Sequence, residues 1–367
     1  MAGETRVLLA DGAHRPLVEL EVGDEIYGTV RAPKFARSPR YPRLTRTRVV
    51  TCRWTVGPGH RITLADGTEL VASADHRFLS TRGWKHVTGA EQGNARRPHL
   101  TTCSELRGVG GFAEPPDQNS EYQVGYLCGM VRGDGHLKSY VFTGRGRAEH
   151  VHWFRLALAD IEALHRARDF LALVQVPTRE RVFSVATASR REIRAISTST
   201  FSRVERVRDV IRWPHDPSDS WRKGFLAGIF DAEGSCGCSV IRISNTDPEI
   251  IDWVTSCLTH FGFDLVVETT RRRNGLAVVR VRGGLVERLR FFHMTTPAIT
   301  RKQRLDGHGI KTTVDLTVVS IEQLRARRLY AITTGTGDFI ANGVVSHTGV
   351  ARPALTGSPH VAPPAHR

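Results

Sequence analysis

One nine-residue pattern occurs twice in this chain, and it limits the possible folds more than any other feature. Leu127-Cys128-Gly129-Met130-Val131-Arg132-Gly133-Asp134-Gly135 matches Leu226-Ala227-Gly228-Ile229-Phe230-Asp231-Ala232-Glu233-Gly234. Each copy reads as a short apolar helix closing on a small residue, a carboxylate and a glycine, and the two carboxylates lie 99 residues apart. Such a repeat implies two tandem copies of one α/β unit. Beyond the motif, strand-like Val182–Thr187 and helical Arg190–Ile196 answer Ala277–Arg282 and Leu285–Phe291, with Glu192 58 residues after its carboxylate and Glu287 54 after its own.

The small residues Cys128, Gly129, Ala227 and Gly228 allow two helices to pack backbone to backbone. That packing brings the helix C-terminal ends together and sets Asp134 beside Glu233. Two close carboxylates repel unless a cation sits between them, and Mg²⁺ suits an oxygen donor set. A metal held this way against a nucleic-acid phosphate activates water and stabilises the leaving oxygen. The plainer alternative is a pair of solvated helix-end acids, each followed by a C-cap glycine.

The surrounding chain supplies context. The first hundred residues read as short strands broken by Asp-Gly turns: Arg6–Ala10, Arg61–Leu64 and Glu69–Ser73. Arg31–Arg48 reads as a basic loop and Glu105–Gln118 as a linker. Ala148–Leu173 shows apolar residues at helical spacing, Phe154, Leu156, Leu158, Ile161, Leu164 and Phe170 among them. Strand texture returns in Thr313–Val319 and Phe339–Val345. Gly349–Arg367, rich in Pro, Ala and His, reads as a disordered tail. This order, β then α/β then β, is most simply a domain inserted into a β domain.

Net charge is +15, which suits a polyanion such as DNA. Only 6 of the 52 basic residues are Lys, and Arg forms bidentate contacts with phosphate and guanine. No apolar run reaches the roughly 18 residues of a membrane span. Met1–Arg6 has no signal-like apolar core, so a cytoplasmic location and no membrane partner are expected. Cys236-Gly237-Cys238 lacks a second Cys or His pair at zinc spacing and reads as a turn.

The paired motifs resemble those of the LAGLIDADG (dodecapeptide) homing endonucleases over about residues 118–305. The resemblance implies a monomer of two pseudo-twofold halves, 118–214 and 215–305, each αββαββα with a β saddle in the DNA major groove. It implies metal-dependent, site-specific double-strand cutting, with Asp134 and Glu233 holding the metals. It implies a basic residue near the site in each half: Lys302 in the second and Arg212 in the first. Arg212 keeps the charge but barely deprotonates, and Arg132 stands where many members carry an acid. For DNA contacts the residues of choice are Arg271, Arg272, Arg273, Arg280 and Arg282. Alternation along Ala277–Arg282 sets the last two on one strand face.

The two ends resemble the Hint fold of protein-splicing inteins, over residues 1–110 and 309–348. Gly3-Glu4-Thr5-Arg6-Val7 resembles its opening block, Ser73-Ala74-Asp75-His76 its Thr-x-x-His block, and Phe339–His347 its closing blocks. The fold class expected is therefore an α+β and all-β composite, a split Hint domain interrupted by the endonuclease. The resemblance puts the opening Cys one residue before Met1, so Met1 as the true start is open. It puts Asn where Thr348 stands and Asp where Ala331 stands, so self-splicing is expected to be lost. The DNA partner implied is the host gene without the intein. Two rival readings are a non-catalytic DNA-binding protein on the same scaffold, favoured less by two retained acids, and a residual Hint autoprocessing protein.

Overall fold

Glycines placed four residues apart govern the middle of the fold. The computed structural model describes residues 1–31, 41–92, 95–144, 147–237, 240–269 and 275–348. Its helices there are α1 (Ser120–Asp134), α2 (Ile161–Leu173), α3 (Phe201–Val210), α4 (Asp219–Glu233), α5 (Pro248–His260) and α6 (Gly284–Thr295). The motif helices α1 and α4 pack so closely that a Cβ on Gly125 would lie 2.1 Å from the Trp221 carbonyl oxygen. On Gly129 it would lie 2.5 Å from that of Phe225, and on Gly228 2.1 Å from that of Tyr126. Each helix starts on a side-chain cap, Asn119 accepting from Tyr122 N (3.0 Å) and Ser218 from Trp221 N (3.1 Å).

Each helix runs directly into a strand. Gly135 and Gly234 are extended (φ −76° and −81°), so neither is the left-handed cap expected from sequence. Glycine stands there because a Cβ would meet the carbonyl oxygen one turn back, Val131 or Phe230, at 2.4 Å.

The two halves share one element order: helix, two strands, helix, two strands, helix. In the first half the sheet runs Gly135–Gly144, Arg147–Leu158, Ile193–Thr198, Arg179–Ser184. In the second it runs Gly234–Gly237, Val240–Asn245, Ala277–Val281, Leu265–Thr269, the same order. The helix pair binds the halves by exchange: Ala227 of α4 lies in the first half's core, and Cys128 of α1 in the second's.

The strands at the two ends of the chain pair with each other. A six-stranded sheet orders His14–Pro16, Arg6–Leu8, Asp338–Ala341, Val344–His347, Arg77–Ser80, Gly83–His86. Val318–Thr334 pairs along Arg43–Leu64, which also carries Glu25–Val30 and Glu69–Ser73. Val7, Ile26, Phe78, Phe339 and Val344 meet in one core. Helix α6 joins this body to the middle. Leu289 packs with Leu8, Tyr27, Ile340 and Val345, and His293 Nε2 lies 2.9 Å from the Gly12 carbonyl.

Several sequence expectations are corrected. Ala148–Leu173 is not one helix. Phe154, Leu156 and Leu158 alternate with half-exposed neighbours as the buried face of a strand, and only Ile161 onward is helical. Arg190–Ile196 is not helical, since Ile193–Thr198 is the strand equivalent to Ala277–Val281. Glu192 therefore does not answer Glu287, which lies in α6. The two halves fall out of step in sequence because the first half's leading hairpin is longer, Gly135–Leu158 against Gly234–Asn245. Arg43–Arg48 is strand, not loop, while 32–40 lie outside the described residues. Leu106 and Val109 are buried, with bridges at Leu106 and Gly108, so a free linker begins no earlier than Gly111. The tail 349–367 and Cys238 lie outside the described residues.

The helix crossing gives a direct test. Gly228→Ala is expected to lose about 2–3 kcal/mol in urea unfolding, because its methyl group meets backbone rather than a yielding side chain. Gly57→Ala, with no atom within 4 Å of its Cβ, should stay within about 0.5 kcal/mol of the parent.

Candidate active site

The ends of α1 and α4 bring Asp134 and Glu233 within range of each other's charge. Partial burial raises the pKa of both, and the Asp134 carboxylate raises that of Glu233 further. Asp134 nonetheless opens to solvent on one side, while Glu233 is half-buried and accepts from Asn245 Nδ2 at 3.2 Å. The opposing charge comes from Lys302, which draws both values back down.

Lys302 lies in the turn Thr300–Gln303 after α6. Its ammonium donates to the carbonyls of Phe230 (3.0 Å) and Asp231 (2.6 Å) in the last turn of α4, the first of which also accepts from Gly234 N. Burial lowers the Lys302 pKa, and Asp231, Asp160 and Asp134 oppose that shift.

Two residues before Glu233, Asp231 is 2% exposed. It accepts from Tyr126 Oη (2.9 Å), Ala298 N (2.7 Å) and Ile299 N (3.0 Å). Arg132 occupies the same place in the first half and does the opposite, donating from Nε to the Ile211 carbonyl at 2.9 Å. Its guanidinium lies 3.8 Å from the centre of the Trp213 ring. Arg132 is therefore a packing and bonding residue that also reaches the second half, at Glu249 of α5 (3.9 Å). Arg212 is exposed and ion-paired with Asp209 at 2.9 Å, and it does not contribute to the charge felt by Asp134 or Glu233. Sequence reasoning put Arg212 at the site and passed over Asp231, although Asp231 stands inside the quoted motif.

The pair fits a hard cation. It offers carboxylate oxygens at two helix C-termini, where positive charge is favoured, and a cation would offset both the partial burial that raises the two pKa values and the repulsion that Asp134 adds at Glu233. Among the described residues no group of three or more His, Cys, Asp and Glu gathers at one place. A metal here would thus draw on water and substrate phosphate as well, as Mg²⁺ commonly does.

Of the DNA-contact candidates, Arg280 pairs with Glu268 and Arg282 with Asp264 (3.5 Å). Arg282 lies just past the strand end at Val281, and Arg271, Arg272 and Arg273 lie outside the described residues. The first sheet presents a richer face that sequence reasoning missed. Arg181 lies over Trp153 at 5.6 Å and Arg155 over Phe183 at 4.6 Å. Trp153 and Arg155 alternate with buried Phe154 and Leu156, a signal hidden by reading this stretch as helix.

The end-to-end β body brings together residues singled out in the sequence, His76, His347 and Thr348, with their neighbours Met1 and Ser346. His76 Nε2 is 2.7 Å from Ser346 Oγ, which lies 3.4 Å from Met1 Sδ. Burial, the nearby amine of Met1 and His347 hold His76 neutral. Arg77 donates to His347 Nε2 at 2.7 Å, which leaves the His347 proton on Nδ1, 2.5 Å from the Thr348 carbonyl. Thr348 Oγ1 donates to the Gly337 carbonyl at 3.0 Å. Ser73 ends its strand, and its carbonyl accepts from His76 N at 3.1 Å.

Residues 220–293, from α4 into α6, match the family described as LAGLIDADG-like domain. The replicative DNA helicase DnaB of Rhodothermus marinus is 36% identical over 95 residues, 26% of this chain. The match spans a tenth of the length of that curated relative. Among solved structures, the homing endonuclease I-DmoI in complex with DNA and Mn is similar over 50% of this chain and 98% of its own. Its TM-score is 0.39 and its identity 16%. Full-length DUF199/WhiA from Thermatoga maritima is similar over 49% of this chain and 57% of its own, with a TM-score of 0.35 and 14% identity.

The raised pKa values have a measurable sign. Each acid holds its proton more tightly folded than unfolded, so stability rises as pH falls through the raised values and is lost as pH climbs past them. Asp134→Asn in EDTA at neutral pH is expected to raise the melting temperature by about 2 °C, a gain that shrinks towards pH 4. Saturating Mg²⁺ should stabilise the parent protein and not the variant, reversing their order in calorimetry.

Proposed function

We propose that this chain is a metal-dependent, site-specific endonuclease of duplex DNA, carried within an intein whose self-splicing is lost. The observation that carries the nuclease reading is the meeting of Asp134 and Glu233 at the exits of two glycine-packed helices, with Lys302 beside them. Asp134 and Glu233 would hold Mg²⁺, which when bound lowers the pKa of water and offsets charge on the scissile phosphate. Lys302, anchored on the last carbonyls of α4, holds a positive charge beside the acids, where a phosphate would approach. The sheets supply the docking face. Arg155, Arg181, Trp153 and Phe183 on the first, with Arg242 and Arg280 in register on the second, offer phosphate and base contacts. A net charge of +15 supports the same partner.

The intein reading rests on different observations. The first and last strands share a sheet, and Met1, His76, Ser346, His347 and Thr348 converge. On this reading residues 1–110 and 309–348 form one Hint domain around an endonuclease at 118–305, a monomer acting in the cytoplasm on the intein-less host gene. Thr348 has no carboxamide to cyclise, and Ala331 lacks the family's carboxylate. One observation favours the non-catalytic alternative: Arg132 and Arg212 are both committed to protein partners, so among the described residues Asp134 feels the cation of the second half, Lys302, and none from the first.

Duplexes selected by binding from a randomised library are expected to be cut with Mg²⁺ and left whole in EDTA. Asp134→Asn and Glu233→Gln should each slow cutting about 100-fold or more while affinity stays within about 2-fold. Undiminished cutting by both variants overturns the site, and tight, salt-sensitive binding with no cutting assigns the chain to the non-catalytic class. Placed between two reporter proteins, the sequence should yield no ligated product by mass measurement; ligation overturns the loss of splicing.

A further inference from the structure

Asp231 is a deeply buried carboxylate beside the acidic pair, and it accepts three bonds from the protein itself. Oδ2 takes the Ala298 N–H and the Tyr126 hydroxyl, and Oδ1 takes the Ile299 N–H. Ala298 and Ile299 open the segment whose next turn carries Lys302, and Lys302 N donates to the Ile299 carbonyl at 3.1 Å. The Lys302 ammonium then returns to the carbonyl of Asp231 itself. One residue therefore clamps this segment at both ends: its carboxylate fixes the start, and its main-chain carbonyl receives the side chain.

The first half has no such clamp. Arg132 binds a carbonyl instead of N–H groups, its guanidinium is stacked on Trp213, and the following Arg212 turns to Asp209. We propose that Asp231 is a positioning residue that aims Lys302 at Asp134 and Glu233, and that its replacement by Arg132 leaves one of the two strand-cutting positions without an aimed ammonium. The strand clause rests on the nuclease reading above; the aiming of Lys302 does not. The protein then cuts the two strands of its duplex in a fixed order, and a nicked species accumulates first.

Asp231→Asn is the test, because it keeps the shape but sets an amide NH₂ against a backbone N–H. The chain has six lysines, so acylation by an amine reagent can be read at each by peptide mass spectrometry. The variant should raise Lys302 acylation about tenfold relative to Lys85, Lys138, Lys223 and Lys311. With selected duplex labelled on either strand, the parent should cut one strand about tenfold faster than the other. The variant should slow the faster cut at unchanged DNA affinity, with no added loss in a Lys302→Met background. Unchanged relative acylation, additive losses or equal strand rates overturn the proposal. A parent that cuts neither strand, with Lys302 still unmasked in the variant, supports the aiming of Lys302 and overturns the nuclease reading.

Discussion

The contact on which the rest depends is the crossing of α1 and α4 at glycine. Main chain touches main chain at Gly125, Gly129, Gly224 and Gly228, so no side chain separates the helix axes where they meet. That closeness sends Ala227 and Cys128 each into the other half's core, and it brings the two helix ends into one place. Glu233 then feels the charge of Asp134. The electrostatic cost of the site is thus set by packing some distance from it, and larger residues at the crossing would relieve the repulsion only by dismantling the centre.

Around that crossing the two halves share an outline but differ in chemistry. The sheets have the same strand order, and the cap residues Asn119 and Ser218 occupy matching places. At the position two residues before each acid the charge is reversed. Asp231 gathers N–H groups where Arg132 seeks a carbonyl, and the aromatic neighbours follow suit: Tyr126 donates to Asp231, while Trp213 underlies Arg132. Each solution satisfies its own surroundings, which is why both survive in a shared architecture.

The sequence displayed the acids and their meeting clearly, because small residues and a terminal carboxylate recur in one short motif. It displayed Lys302 only through a family resemblance, since nothing local in Thr300–Gln303 announces that its side chain caps a helix seventy residues earlier. It concealed the first sheet, because Phe154, Leu156 and Leu158 alternate just before a true helix and the two periods blur into one. It also hid the role of Asp231. A buried acid bonded to backbone N–H groups has no sequence signature, because its partners come from a segment more than sixty positions away.

Helix α6 is a party wall. One side completes the second half through Phe291 and Phe292, and the other closes the end-to-end β body through Leu289 and His293. Removing the middle of the chain would strip the cover from Leu8, Tyr27, Ile340 and Val345, and removing the ends would bare the far face of the helix. Neither part can be trimmed away as a free-standing piece unless that seam is first given a polar surface. A change in either body is therefore felt by the other across that one helix.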